Sequence, residues 1–298
     1  MGQQHVSKYS ISHEYVHIPD DIIYHILTFV PSQYIFTNQI MSVSRQWKRV
    51  CFRLNISVDL KLKPANHAKF KLMAKCRYLN NLTDLNLRST DLHHFGLSIL
   101  LNSNRVKNLK ILNLAGNYNL GHEGIQLLCE CPNIGNLSSL SLEGCYLEPK
   151  SLKLLSSSLM LPYLCELNLS GNLISLESAK ILFNSPYLSK QLKRWILKSC
   201  TFSDEHFEVF LSSNVLKNYN NLTLLDFSIN YLTDNTASNL LKESNKFWNL
   251  QEFNLARNMF TSVGENLIRN CETLNKVVVL KEKQSNNYSK LRSFFIDQ

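Results

Sequence analysis

The pattern Leu-x-x-Leu-x-Leu-x-x-Asn-x-Ile governs what this chain can fold into, and it stands complete at Leu164–Ile174. Copies of it begin at Leu82, Leu109, Leu137, Leu164, Leu192, Leu222 and Leu250, with a worn one at Leu274. Successive starts lie 27, 28, 27, 28, 30, 28 and 24 residues apart. A leucine-carried period of this size predicts a solenoid, because one copy cannot bury its own apolar face and must stack on its neighbours.

Each copy divides in two. The first part, as in Leu137-Ser-Ser-Leu-Ser-Leu142, alternates with period two and predicts a short strand. The second part sets an apolar residue eighteen positions after the start, at Leu100, Leu155, Leu182, Phe210, Leu240 and Ile268. In the Leu109 copy the matching residue, Leu128, comes one later, which puts an extra residue near Asn119. Gly96, Gly124 and Gly264 open or precede these segments, which read as helices. A strand and a helix per copy resembles the ribonuclease-inhibitor-like class of leucine-rich repeats. The resemblance implies an α/β solenoid, a right-handed arc with parallel strands on its concave side and helices on its convex side. Val58, Leu60 and Leu62 alternate 27 residues ahead of Leu85, Leu87 and their successors, so a degenerate first repeat precedes Leu82, completed by a helix over 67–78. The solenoid then covers 53–280 in about eight or nine repeats.

Alternation also says which side chains leave the concave face: those two, four and six positions after each start. The middle column is mostly asparagine, which belongs to the repeat's own pattern and reads as a solvated ladder. Charged departures from it are the candidate target-binding residues: Arg88, Glu143, Glu166, Arg194, Lys198, Asp226 and Glu252. Arg194 and Lys198, close to Lys190 and Lys193, make a local positive site with Glu166 before it and Asp226 beyond.

Ahead of the repeats, residues 1–17 read as a loose polar arm. Then Ile18-Pro-Asp-Asp-Ile-Ile begins a helix with Pro19 in its first turn, two acids at the positive end of its dipole, and a stop at Pro31. Ile22, Ile23, Ile26, Leu27 and Val30 form one apolar stripe, and Ile40, Val43, Trp47 and Val50 form a second. Ile-Pro-Asp-Asp-Ile-Ile-x-x-Ile-Leu-x-Phe-Val-Pro followed by Val43-Ser-Arg-x-Trp47 resembles an F-box, with Ile18, Asp21 and Ser44 where Leu, Glu and Cys are usual. An F-box over 18–52 placed directly before leucine-rich repeats is similar to the F-box/leucine-rich-repeat family, substrate receptors of Skp–cullin–F-box ubiquitin ligases. That resemblance implies a Skp-type adaptor as partner, and through it a cullin–RING ligase, gripped by Ile18, Pro19, Ile22, Ile26, Leu27, Val30, Val43 and Trp47. Some of these residues instead hold the three helices together or pack on the first repeat, and the sequence does not sort them. Residues 281–298 form a polar tail whose Leu291, Phe294 and Phe295 suit a cap on the last repeat.

Chemistry-bearing patterns are missing. There is no Gly-rich phosphate loop, nucleophile motif or metal-ligand spacing, so neither catalysis nor a cofactor is expected. His93 and His94 follow a strand turn and should face solvent. The eight cysteines lack zinc-site spacing, and Cys145 and Cys200 occupy the position that Asn172 fills, so they read as packed, reduced thiols. The net charge of +9 arises between Ser44 and Tyr78, where ten basic residues face the single acid Asp59. This basic junction lacks interleaved aromatics and any nucleic-acid motif, and no apolar run reaches the ~18 residues of a membrane span. A non-catalytic receptor in the cytoplasm or nucleus, holding a target protein on its repeats, is the reading that follows. The alternatives are a leucine-rich-repeat scaffold without a ligase role and a small-GTPase regulator using Arg88.

Overall fold

The computed structural model describes residues 56–60, 67–76, 79–188, 192–213, 221–274 and 278–280. The F-box-like segment, with all eight of its adaptor-facing candidates, and the 281–298 tail lie outside the described residues. Within them, nine parallel strands form one open sheet in chain order, as an α/β solenoid of leucine-rich repeats requires. The strands are β1 (Ile56–Asp59), β2 (Leu82–Asn86), β3 (Ile111–Asn113), β4 (Ser139–Ser141) and β5 (Glu166–Asn168), then β6 (Arg194–Ile196), β7 (Leu224–Asp226), β8 (Glu252–Asn254) and β9 (Val278–Val279). Between them run α1 (His67–Lys75), α2 (His94–Leu101), α3 (Gly121–Glu130) and α4 (Pro149–Ser157), followed by α5 (Leu176–Phe183), α6 (Asp204–Ser212), α7 (Asp234–Lys242) and α8 (Ser262–Arg269).

Pairing follows the sequence columns. Asp84, Ile111, Ser139, Glu166, Arg194, Leu224 and Glu252 are successive register partners, and Leu85 through Phe253 run beside them. Val58 pairs with Leu85, which establishes the degenerate first repeat. At the other end Val278 pairs with Phe253, so the worn copy carries one residue more between Leu274 and its strand than the other copies do. The helical stretch of the first repeat ends at Lys75, three residues short of the expected 78. The additional residue of the Leu109 copy is absorbed in a 3-10 turn, Tyr118–Leu120.

The strands are short because the chain bends at both ends of each. At the start, one carbonyl accepts two N–H groups of the next repeat: Lys110 O binds Ser138 N and Ser139 N at 2.8 and 2.9 Å. At the finish, the residue seven positions after each start is left-handed: Ser89, Gly116, Gly144, Gly171, Ser199, Ile229 and Arg257, with φ between 50 and 67°. Inside, the leucines of the repeat are buried, and Leu100, Leu128, Leu155, Leu182, Phe210, Leu240 and Ile268 are at most 3% exposed. Helices sit close where glycine permits it: a Cβ on Gly96 would meet the Phe70 ring at 2.8 Å. Neighbouring helices also cap one another, since Asp204 accepts from the Thr233 N–H and hydroxyl, and Asp234 does the same for Thr261.

Candidate protein-binding face

All seven concave-face candidates lie on or just past the strands of the sheet, as their register partners dictate. The asparagine column has a local task. Asn86, Asn113, Asn168 and Asn254 each accept, through Oδ1, the N–H two residues ahead at 2.9–3.1 Å, and Asp226 does so for Ser228 at 2.8 Å. These side chains close off the strand ends rather than wait for a ligand, in keeping with the solvated ladder.

The charged candidates mostly find one another. Arg88 Nη1 and Nη2 grip both carboxylate oxygens of Glu143 at 2.9 Å, and the pair spans two strands by passing over the small side chain of Ala115. Glu143 also accepts from Asn168 Nδ2 at 3.4 Å. The hydrogen bonds that Arg88 donates to Glu143 raise the arginine's pKa further against a smaller opposing effect of burial. Both terminal nitrogens of the guanidinium are engaged in that fork. Arg194 is likewise drawn to its register partner, donating from Nε to Glu166 Oε2 at 2.8 Å. Within the expected positive site, Glu166 is therefore the partner of Arg194 rather than a separate flank. Asp226 accepts from Asn254 Nδ2 at 3.2 Å, and Glu252 is exposed.

The position eight after each start organises the loops above this face. Asn172, fully buried, takes the N–H groups of Cys145 and Leu147 on Oδ1 at 3.1 Å and donates to the carbonyls of Leu142 and Leu169. Asn117 treats the Thr90 loop in the same way, and Asn230 the Cys200 loop. In each held loop the next residue, Asp91, Tyr146 or Thr201, is left-handed, which turns two N–H groups onto one oxygen. The Cys145 and Cys200 thiols donate back to the carbonyls of Leu114 and Leu169 at 3.3 and 3.4 Å. Burial pushes these thiols up to about 11 and about 12. The six copies from Leu82 to Leu222 thus come in pairs, with Arg88, Glu143 and Lys198 on the held loops and Ala115, Ser170 and Ser228 on the holding ones, until Asn258 of the next copy in turn binds the Leu232 N–H and the Phe227 carbonyl.

Sequence reasoning missed a second face. The residues nine positions after each start form a row along the rim where strands pass into helices. Tyr118, Tyr146, Leu173, Tyr231 and Met259 are 57–69% exposed there. The signal was available as a column of apolar residues in a loop, where solvated residues are the rule. His93 is exposed, and the His94 ring lies tilted against Phe95, centroids 4.2 Å apart. Among the described residues no cluster of metal-ligating side chains forms, and no helix is long and apolar enough to cross a membrane.

No protein-family model matches the chain, and no curated protein sequence matches it either. Among solved structures it is similar to a Bacteroides fragilis protein, with 16% identity and a TM-score of 0.50 over 80% of this chain and 78% of that one. Weaker likenesses, both with a TM-score of 0.39, are to the mouse RP105/MD-1 complex and the yeast Rad7 and Elc1 complex. The first has 18% identity over 68% of this chain and 39% of that one, the second 14% over 88% and 81%. The Bacteroides likeness concerns the fold alone.

Proposed function

We propose that this chain is a non-catalytic substrate receptor of a Skp–cullin–F-box ubiquitin ligase, working in the cytoplasm or nucleus. One observation carries the reading: the F-box-like run from Ile18 to Val50 stands directly before an open leucine-rich-repeat solenoid. In this reading Ile18, Pro19, Ile22, Ile26, Leu27, Val30, Val43 and Trp47 supply the apolar grip on the adaptor. The solenoid supplies a broad, rigid surface for a target protein. Tethering raises the target's effective concentration beside the charged conjugating enzyme, which performs the transfer. The receptor itself makes and breaks no bonds. The open arc supports such a task, because every repeat presents a strand end, a loop and a rim residue at fixed spacing.

The test is co-purification of the full chain with a Skp-type adaptor, repeated with Ile26→Lys plus Leu27→Lys and a circular dichroism check of the fold. The expected result is a complex with the natural chain and none with the folded double variant. A folded natural chain that binds no Skp-type adaptor overturns the ligase reading and leaves a leucine-rich-repeat scaffold.

A further inference from the structure

The two rims of the solenoid differ in chemistry. On the rim where strands lead into helices, each loop or first helical turn from β2 to α6 adds an exposed acid. They are Asp91, Glu123, Glu148, Glu177 and Glu205, against the exposed bases Lys150 and Lys180. Asp91, Glu148 and Glu177 keep 65%, 57% and 77% of their side chains in solvent. Acids at helix starts complement the helix dipole, and Glu148 and Glu177 also touch Lys150 and Lys180 at 3.1 and 2.6 Å. On the opposite rim of the same repeats, the described residues carry Arg105, Lys107, Lys110 and Lys193 against Glu130. Helix dipoles favour the acids at helix starts. They do not explain the apolar column on this rim, which continues past the last of these acids to Met259, whereas the exposed Leu159, Tyr163, Tyr187 and Trp248 of the segments leading into strands share no one repeat position.

In that row Tyr118 and Tyr146 stand side by side from adjacent repeats, ring centroids 5.1 Å apart, both more than half exposed. Leu173 continues the line at 69% exposed, and Tyr231 and Met259 resume it beyond Thr201. Exposed large apolar side chains gathered along one line mark an interaction site more often than scattered single ones do. Their spacing follows the sheet, so five steps of ~4.8 Å span about 24 Å, the length of about seven residues of extended chain. An extended segment that lays apolar side chains on the row points its alternate side chains away from it, and only long ones such as lysine and arginine reach back to the flanking acids. The paired tyrosine rings also offer a platform for a cation.

We infer that this rim, between Tyr118 and Met259, is a docking strip for an extended, Lys/Arg-bearing segment of a partner protein. The inference rests on the solenoid's being a protein-binding surface, but not on the F-box or the ligase. It sharpens that surface by moving the contact from the self-paired concave charges to the rim, and by giving the partner a cationic, amphipathic strand.

The test uses the full chain and a fluorescent ten-residue peptide of alternating arginine and leucine, with a glutamate–leucine peptide as comparison, followed by anisotropy at about 0.1 M salt, where surface charges still act over about 10 Å. The arginine peptide should bind saturably and the glutamate peptide should not. Tyr118→Ser with Tyr146→Asn should weaken binding at least tenfold, and so should Glu148→Lys with Glu177→Lys. Asparagine suits the left-handed backbone at residue 146, and an unchanged thermal melt shows that each variant is folded. Tyr163→Ser, an exposed aromatic on the opposite rim, should bind as the natural chain does. The inference is overturned if the arginine peptide fails to saturate, if the rim variants bind it equally well, if Tyr163→Ser loses as much, or if the glutamate peptide binds as tightly. Adaptor co-purification is unaffected by any of these outcomes, so a failure here leaves the ligase reading to its own test.

Discussion

The front and back of the solenoid keep the same backbone with different interiors. Between Leu82 and Leu182 every buried apolar side chain is Leu, Ile, Val, Ala or Cys, whereas eight aromatic ones are buried from Phe183 to Phe253. In the column fifteen residues after each start the front has Leu97, Leu152 and, at its end, Ala179, and the back has Phe207 and Ala237. The small residues on either side of Phe207 make room for its ring, which lies 5.5 Å from Phe227 and 5.7 Å from Phe210. The front thus fills each repeat with interchangeable leucines, while the back shares one interlocked cluster among four repeats. Equal backbones with unequal cores should respond differently to the loss of one side chain.

The largest effect expected is for Phe207→Ala, a loss of about 5 kcal/mol, because the flanking alanines cannot collapse into the space. Leu152→Ala, in the same column of the front, should cost about 3 kcal/mol. Denaturant unfolding of both variants measures the contrast, and equal losses would remove the distinction between the two cores.

Next comes the ladder of held loops, which crosses both halves. Asn172→Ala strands two buried N–H groups and should cost about 3 kcal/mol, whereas Cys200→Ala removes one weak donor and should cost about 1 kcal/mol. The same thiols set an alkaline limit. Burial raises Cys129 and Cys145 to about 11 and Cys200 to about 12, from an ordinary 9.0. The unfolded chain gives up these protons first, so their contribution is full below pH 9 and is lost as pH rises from 9 through 11 and 12. Denaturation midpoints measured across that range should fall, and a smaller fall in Cys129→Ala/Cys145→Ala/Cys200→Ala would confirm the cause.

The smallest effect belongs to the concave surface. Glu143→Gln breaks a fork whose partners are 41% and 34% exposed, so stability should change by no more than about 1 kcal/mol. A much larger loss would mean that the front depends on its surface charges more than on its leucines.

The repeat starts, the strand columns and the buried leucines were legible because each is spelled within one copy. The pairing of repeats was printed just as openly, in Thr90, Cys145 and Cys200 alternating with Asn117, Asn172 and Asn230, but its period is two copies long. Arg194 and Glu166 share a column 28 residues apart, so register alone could have joined them. Arg88 and Glu143 are 55 residues apart and pass over a strand, which a column-by-column reading does not reach. The left-handed column was hidden by composition, since only Gly116, Gly144 and Gly171 of its seven members advertise the conformation. The apolar rim was overlooked because tyrosines in a loop read as ordinary surface residues until their exposure places them in one line.

The central claim, that a docking unit precedes the solenoid and ties it to a ligase, is tested most directly by calorimetric titration of the intact chain with a purified Skp-type adaptor. A one-to-one complex of micromolar affinity or tighter, abolished by Ile26→Lys with Leu27→Lys, is the predicted result. A folded chain that gives no binding heat at several temperatures and no complex on gel filtration would contradict it.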